Sequence, residues 1–321
     1  MSNWIASSVA GLATVVLLAI LLRRPDALPV DHPNERSLHR YPTPRIGGLA
    51  LFPGVVLGYL ASGVQDANLL LLLEVAGGLF LLSIFDDRHG LPVILRFGIH
   101  ILAAASIAFG LMGAWLPMLA AIVIIGWMTN LFNFMDGANG LAGGMAAIGF
   151  SVCGLALGES ALAFALSGAA LGFLLFNFDP ARVFLGDAGS IPLGFLAGGL
   201  GLLGVVKGIW PAWFPLLVFS PFVVDATITL LRRLARRERF WLAHREHYYQ
   251  RLVRMGWSHR RLALTEYALM ATCGVSALTM LHVGIALQAL GLLLWAAVYA
   301  GLMLSIDRRW ASRVASRGGQ T

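Results

Sequence analysis

Four polar clusters interrupt an otherwise apolar chain. Asp86 and Asp87 stand side by side after a long apolar run. Adjacent carboxylates repel one another and suit holding a divalent cation or a proton. Two solvated loop acids would look the same. Asn130, Asn133, Asp136 and Asn139 recur every three residues, a spacing that shares one helix face. Gly137 and Gly140 among them let the backbone approach a ligand closely. A helix cap needs one such polar residue, not four. Asn177, Asp179, Phe184, Gly186, Asp187 and Ser190 form the third cluster. Asp187 can offer Mg²⁺ an oxygen and leave room for phosphate ligands. Phe184 offers a face for stacking a nucleobase, or else an interface anchor. The fourth cluster is His244, Arg245, Glu246 and His247. Arg and His donate charge-assisted hydrogen bonds that suit a diphosphate. Arg232–Arg239 read instead as a loop meeting anionic headgroups. Asp225 lies inside an apolar run, where a carboxylate needs a partner. Arg232 and the site itself are the two candidates.

The elements that must position these groups follow from composition. The 321 residues are 58% hydrophobic and 12% charged, with a mean hydropathy of +0.79. Soluble domains carry about 25% charged residues. A cytosolic enzyme, a disordered chain and a disulfide-built module are therefore excluded. What remains is an all-α, polytopic membrane helix bundle, read as one domain over 1–321. A span needs about 20 apolar residues. The apolar runs predict eleven spans, at 3–22, 47–63, 68–85, 92–112, 116–133, 139–157, 160–177, 190–206, 211–231, 263–281 and 284–305. The first run lacks a basic n-region and is followed by Arg23 and Arg24, so it reads as a retained helix. Cys153 and Cys273 lie within apolar runs and read as small buried hydrophobes.

Charge sets the sidedness. Of the 23 basic residues all but Lys207 are Arg. Loops 64–67, 113–115, 158–159 and 282–283 hold no Lys or Arg, whereas the opposite loops hold Arg23, Arg24, Arg36, Arg40, Arg45, Arg88, Arg182 and the Arg232–Arg261 cluster. The positive-inside rule makes that second side cytoplasmic, with the N-terminus outside and the C-terminus inside. The loop 232–262 and a tail 308–321, expected to be disordered and membrane-adjacent, then face the cytoplasm. Because the Arg residues sit in short loops between apolar runs, a nucleic-acid partner is disfavoured. Two spans separate each polar cluster from the next, so all four share one membrane face.

Taken in order, Pro42–Gly48, Asp86-Asp87, Asn133-Phe-Met-Asp136-Gly and Val183–Ser190, with His247 opening the loop motif, resemble the polyprenyl-phosphate N-acetylhexosamine-1-phosphate transferases. The branch that primes O-antigen chains is most similar. The resemblance implies transfer of a sugar-1-phosphate from a UDP-N-acetylhexosamine to undecaprenyl phosphate, releasing UMP, at the cytoplasmic face of the bacterial inner membrane. It implies Mg²⁺, with Mn²⁺ as an alternative, held by Asp187 and Asn133. Asp86 and Asp87 would activate the lipid phosphate. Asn139, Asn177 and Phe184 would contact the nucleotide, with Asp136 as an essential acid nearby. His247, Arg245 and His244 would lie near the diphosphate or sugar. The sequence departs from the pattern at Asn139, where many members have Asp, and at Tyr249 and Gln250, which replace later His residues. No Lys follows Asp86-Asp87. Membrane lipids are implied partners. The resemblance allows a homodimer, although no segment marks an interface. The sugar stays open among GlcNAc, GalNAc and 6-deoxy amino sugars. A transporter or flippase of an anionic lipid-linked sugar is the alternative. It would place ionisable groups at mid-membrane.

Overall fold

Backbone in lipid must close its hydrogen bonds internally, and this chain does so almost entirely as helices. The computed structural model describes residues 1–23, 28–33, 38, 41–158, 160–239 and 244–318. Arg24, Arg36, Arg40 and residues 319–321 of the expected tail lie outside them. Helices α1 (Ser2–Leu21), α2 (Gly47–Ala61), α3 (Ala67–His89), α4 (Val93–Leu111), α5 (Trp115–Met135), α6 (Leu141–Ala156), α7 (Ala161–Asn177) and α8 (Asp187–Val206) correspond to the first eight apolar runs. Two short strands, β1 (Val30–Asp31) and β2 (Thr43–Pro44), pair antiparallel between α1 and α2.

The ninth run, expected as one span, is two helices, α9 (Trp213–Val218) and α10 (Ser220–Ala235). Phe219 ends the first, and Pro221 sits in the first turn of the second. Pro lacks the N–H that a continuous helix would use there. A seven-residue helix, α11 (Tyr248–Arg254), follows. Last come α12 (His259–Met280) and α13 (Ile285–Gly318). The expected disordered tail is a continuation of α13 through Gly318. Arg313 Nη1 donates to the Met255 carbonyl (2.6 Å), and the Arg254 guanidinium lies 4.7 Å from the Trp310 ring centre. Among the described residues, seven helices are long and apolar enough to cross a membrane, and α2, α6 and α7 are shorter apolar helices. Cys153 and Cys273 are buried and free, as expected.

Close backbone approaches set the helix directions. A Cβ on Gly168 would lie 2.1 Å from Ser7 O, and one on Gly172 would lie 2.5 Å from Gly11 O. Residue numbers rise together, so α1 and α7 run parallel across a small-residue contact. At the other end of α7, a Cβ on Gly48 would fall 2.2 Å from Gly189 N. The starts of α2 and α8 therefore meet. Backbone bonds extend the junction: Gly47 N–H and Gly48 N–H donate to the Phe184 and Leu185 carbonyls (each 2.8 Å), and Phe184 N–H donates to Pro44 O (2.8 Å). This clasp fixes Arg45 and Asp187 beside each other.

Candidate active site

The ends of α3, α5 and α7 and the start of α8 converge on one end of the bundle. The end of α3 joins the others through Arg96, and the ends of α5 and α7 with the start of α8 line a cavity of about 320 Å³ there. Asn133, Asp136, Asn139, Asn177, Phe184 and Asp187 all line it, with Arg45, Gln250 and His259. A groove of about 390 Å³ beside Trp257 and Arg313 has no acidic lining.

Asp187 is the centre of the charge network. Arg45 Nη2 lies 2.9 Å from its Oδ1, and Arg96 Nη1 lies 3.6 Å from its Oδ2. The same Arg96 nitrogen donates to Asp86 Oδ2 at 2.7 Å. Arg96 thus joins the Asp86-Asp87 helix end to Asp187 across a turn at Gly90, whose φ is +67°. Asp86 Oδ1 accepts from Leu91 N–H at 2.6 Å, so both its oxygens are engaged. Asp87 is exposed, and it lies close enough to Asp187 and Arg45 to feel both charges. Asp136 is half-buried in the cavity wall. Its desolvation there pushes the carboxyl up to about 8, against the pull of Arg45.

The amide side chains act on the scaffold. Asn177 Oδ1 accepts from Gly140 N–H (2.9 Å), and its Nδ2 donates to the Val183 carbonyl (2.8 Å). It ties the third cluster to the second, and Gly140 holds a φ of +76° there. Asn139 donates to Asp179 Oδ1 (2.8 Å), and its N–H donates to His259 Nδ1 (3.2 Å).

The loop histidines lie behind this wall, outside the cavity lining. His247 is 3% exposed and caps α11, its N–H donating to Gln250 Oε1 (3.3 Å). Neither candidate partner of Asp225 is the one found. Arg232 pairs with Asp307 instead (2.6 Å). Asp225 meets His247 Nδ1 (3.2 Å) and accepts from the N–H groups of Tyr248 (2.9 Å) and Tyr249 (3.0 Å). A carboxylate suits a helix N-terminus, where free N–H groups converge. Burial, then the neighbouring His247 and Arg233, lower the His244 imidazole to about 4, so it is neutral at pH 7. Arg245 is half-buried, and its carbonyl accepts from Arg254 (3.0 Å).

Residues 69–205 match glycosyl transferase family 4. The chain is 31% identical to a Bacillus subtilis (strain 168) protein named probable undecaprenyl-phosphate N-acetylglucosaminyl 1-phosphate transferase, over 86% of this chain and 84% of that one. The chain belongs to the polyprenyl-phosphate N-acetylhexosamine-1-phosphate transferase superfamily. It is also 29% identical to an undecaprenyl-phosphate alpha-N-acetylglucosaminyl 1-phosphate transferase of Yersinia pestis, over 77% of this chain and 76% of that one. To a phospho-N-acetylmuramoyl-pentapeptide-transferase of Thermotoga neapolitana it is 32% identical, over 67% of this chain and 79% of that one.

For a member of this superfamily the oxygen donors fit a divalent cation. Asp187 and Asn133, both able to offer an oxygen, line the same cavity. Mg²⁺ binds through one or two carboxylates plus waters and substrate phosphates, not an all-protein cage. Among the described residues no group of three or more His, Cys, Asp or Glu side chains forms a cage. Arg96 and His259 belong to the transferase site but were not singled out from sequence. Arg96 had a signal, since a charge inside the fourth apolar run needs a partner. His259 had none, because its contact with Asn139 spans 120 residues.

Proposed function

We propose that this transferase moves an N-acetylhexosamine-1-phosphate from a UDP-sugar to undecaprenyl phosphate at the cytoplasmic face of the bacterial inner membrane. UMP leaves, and O-antigen or related cell-envelope glycan synthesis begins. The observation that carries the reading is the convergence of Asp86, Asp87, Asp136 and Asp187 with Arg45 and Arg96 at one bundle end. The names of the Bacillus and Yersinia relatives favour GlcNAc, and a 6-deoxy amino sugar is the next donor to test.

An oxygen of the acceptor phosphate attacks the sugar-bearing phosphorus. The new P–O bond forms as the bond to UMP breaks. Such transfer depends mainly on positioning and charge neutralisation. Arg45 and Arg96 are placed to meet the diphosphate and the acceptor phosphate. Asp87, exposed while Asp86 is doubly bonded, is the better candidate to take a residual acceptor proton. Bound at Asp187 and Asn133, Mg²⁺ would supply charge neutralisation on the leaving UMP. Phe184 offers the nucleobase its ring. With the Arg-rich loops on the cytoplasmic side, the cavity would lie where a soluble UDP-sugar and a bilayer-held phosphate meet.

The test is UMP release by purified protein with Mg²⁺, undecaprenyl phosphate and a panel of UDP-N-acetylhexosamines. Release with one donor, abolished in a folded Asp187→Ala variant, is expected. Near-normal release by that variant overturns the metal assignment. Silence across the panel overturns the reaction.

A further inference from the structure

We propose that the groove between α11 and the end of α13 seats the phosphodiester headgroup of an anionic phospholipid, in the leaflet beside the Arg-rich loops. The groove measures about 390 Å³ and shares no lining residue with the catalytic cavity. Met255 and Trp257 wall one side, and Arg309, Ser312, Arg313 and Ser316 the other. The Arg309 guanidinium makes no hydrogen bond, ion pair or ring contact among the described residues. Arg313 spends Nη1 on the Met255 carbonyl (2.6 Å), and its other nitrogens have no acceptor among those residues. The Trp257 indole N–H has none either, while the Arg261 guanidinium lies 4.1 Å from the ring centre. The single acid of α13, Asp307, is already taken by Arg232, Arg251 and Tyr248. Cationic N–H donors with no carboxylate among them suit a phosphate.

Depth says that the phosphate belongs to a lipid. The apolar run of α13 ends near residue 305. Arg309 and Arg313 follow four and eight residues later, about 6 and 12 Å along the axis. A headgroup layer is about 5–8 Å deep on each side of the hydrocarbon core. Arg309 stands within it, and Arg313 leans back toward it, because helix side chains tilt toward their N-terminus. Basic pockets between helices at this level hold anionic headgroups. The lining residues Arg309, Ser312, Arg313 and Ser316 share one helix face, and that stripe runs down into the bilayer as Ser305, Leu302 and Val298. Leu302 is 43% exposed and Val298 46%. An apolar lane directly below a cationic seat fits acyl chains under a phosphate, and an acidic peptide has no use for it. The head should also lack an ammonium, which would meet two guanidinium groups. Ser312 and Ser316 donate to the Arg309 and Arg313 carbonyls (each 2.9 Å), so their oxygens remain free to accept from a headgroup hydroxyl.

The experiment titrates the full chain in detergent with phosphatidylglycerol or phosphatidylethanolamine and reads the melting temperature, which rises with occupancy of a folded-state site. UMP release is not the readout, so failure of the transferase reading stays separate from failure here. Phosphatidylglycerol should raise the melting temperature saturably. Arg309→Gln should raise its half-saturating concentration about tenfold or more, the size of a lost hydrogen bond to a charged group. Arg23→Gln, which removes the same charge from an exposed position at the end of α1, should leave it unchanged. An unchanged half-saturation in Arg309→Gln overturns the proposal. Equal weakening by Arg23→Gln means diffuse attraction and overturns it too, as does equal stabilisation by phosphatidylethanolamine. Inorganic phosphate that displaces phosphatidylglycerol at matched concentration assigns the seat to a free anion and overturns the lipid assignment. Should Arg309→Gln fail to fold, phosphatidylglycerol with a photoreactive headgroup is crosslinked to wild type and the labelled peptides are mapped. Label on 252–257 or 309–316 supports the seat, and label confined elsewhere overturns it.

Discussion

Replacing Asp225 by Asn tests whether one carboxylate holds the loop wall in place. Its Oδ1 accepts from Tyr248 N–H (2.9 Å) and Thr229 Oγ1 (3.2 Å) and faces His247 Nδ1, while Oδ2 accepts from Tyr249 N–H (3.0 Å). An amide has one oxygen, so its NH₂ must face a donor. At least one N–H of α11 is left unbonded, whichever way the amide turns. A hydrogen bond to a charged group is worth about 1.5–3 kcal/mol, and a charge at a helix N-terminus adds about 0.3–1 kcal/mol. Together these give about 2–4 kcal/mol at the start of α11. If that energy holds Gln250 in the cavity wall and His247 behind it, kcat should fall about 30- to 1,000-fold, at 1.36 kcal/mol per decade. UMP release at saturating substrates reads kcat, and thermal melting in detergent reads the fold. Wild-type kcat with an unchanged melting temperature would refute the reasoning.

Other outcomes follow from the same geometry. Asp87→Asn should lower kcat with little change in melting temperature, whereas Asp86→Asn should lower both, because it releases Arg96 and Leu91 N–H; kinetics and melting curves separate them. His244, held at about 4 by burial, takes up its proton less readily when folded than in the unfolded chain, where its pKa is 6.5. Its contribution to stability is full above pH 6.5 and is lost as pH falls toward 4. The melting temperature should therefore drop more steeply over that window in wild type than in His244→Asn. Gly48→Ala drives a methyl to 2.2 Å from Gly189 N, a backbone atom that cannot turn aside. It should cost about 1–3 kcal/mol or more and end UMP release. Gly98→Ala, with nothing within 4 Å, is the silent control.

The apolar runs were legible because lipid leaves the backbone few options. Ten of the eleven became single helices, nine of them near their expected bounds. The exception, at Ser220-Pro221, turns on a local missing donor that hydropathy averages away. Helix α11 was invisible for a different reason. It stands on Asp225, a cap more than twenty residues away in the chain. The extended α13 was missed because its last turns are held by Met255 and Arg254 rather than by any pattern of their own. The acids of the site were legible, since two spans between clusters return the chain to the same end. Their cationic partners were not. Arg45 meets Asp187 across 142 residues, through the α2–α8 clasp. Asn177 lines the cavity, and its amide also ties Gly140 to Val183, a contact that no spacing marked.

The Lys207–Asp66 pair at the far end of the bundle has a practical consequence. Asp66 caps the end of α3 opposite Asp86, and Lys207 caps the end of α8 opposite Asp187. Met1 joins them, because α1 runs parallel to α7. The only lysine in the chain therefore marks the face remote from the chemistry, while the reactive end is furnished with arginine alone. Ordinary amine-coupling reagents become a compass for this protein. A bulky acylating dye can be fixed to the molecule, or the molecule to a bead, with its substrate entrance left open.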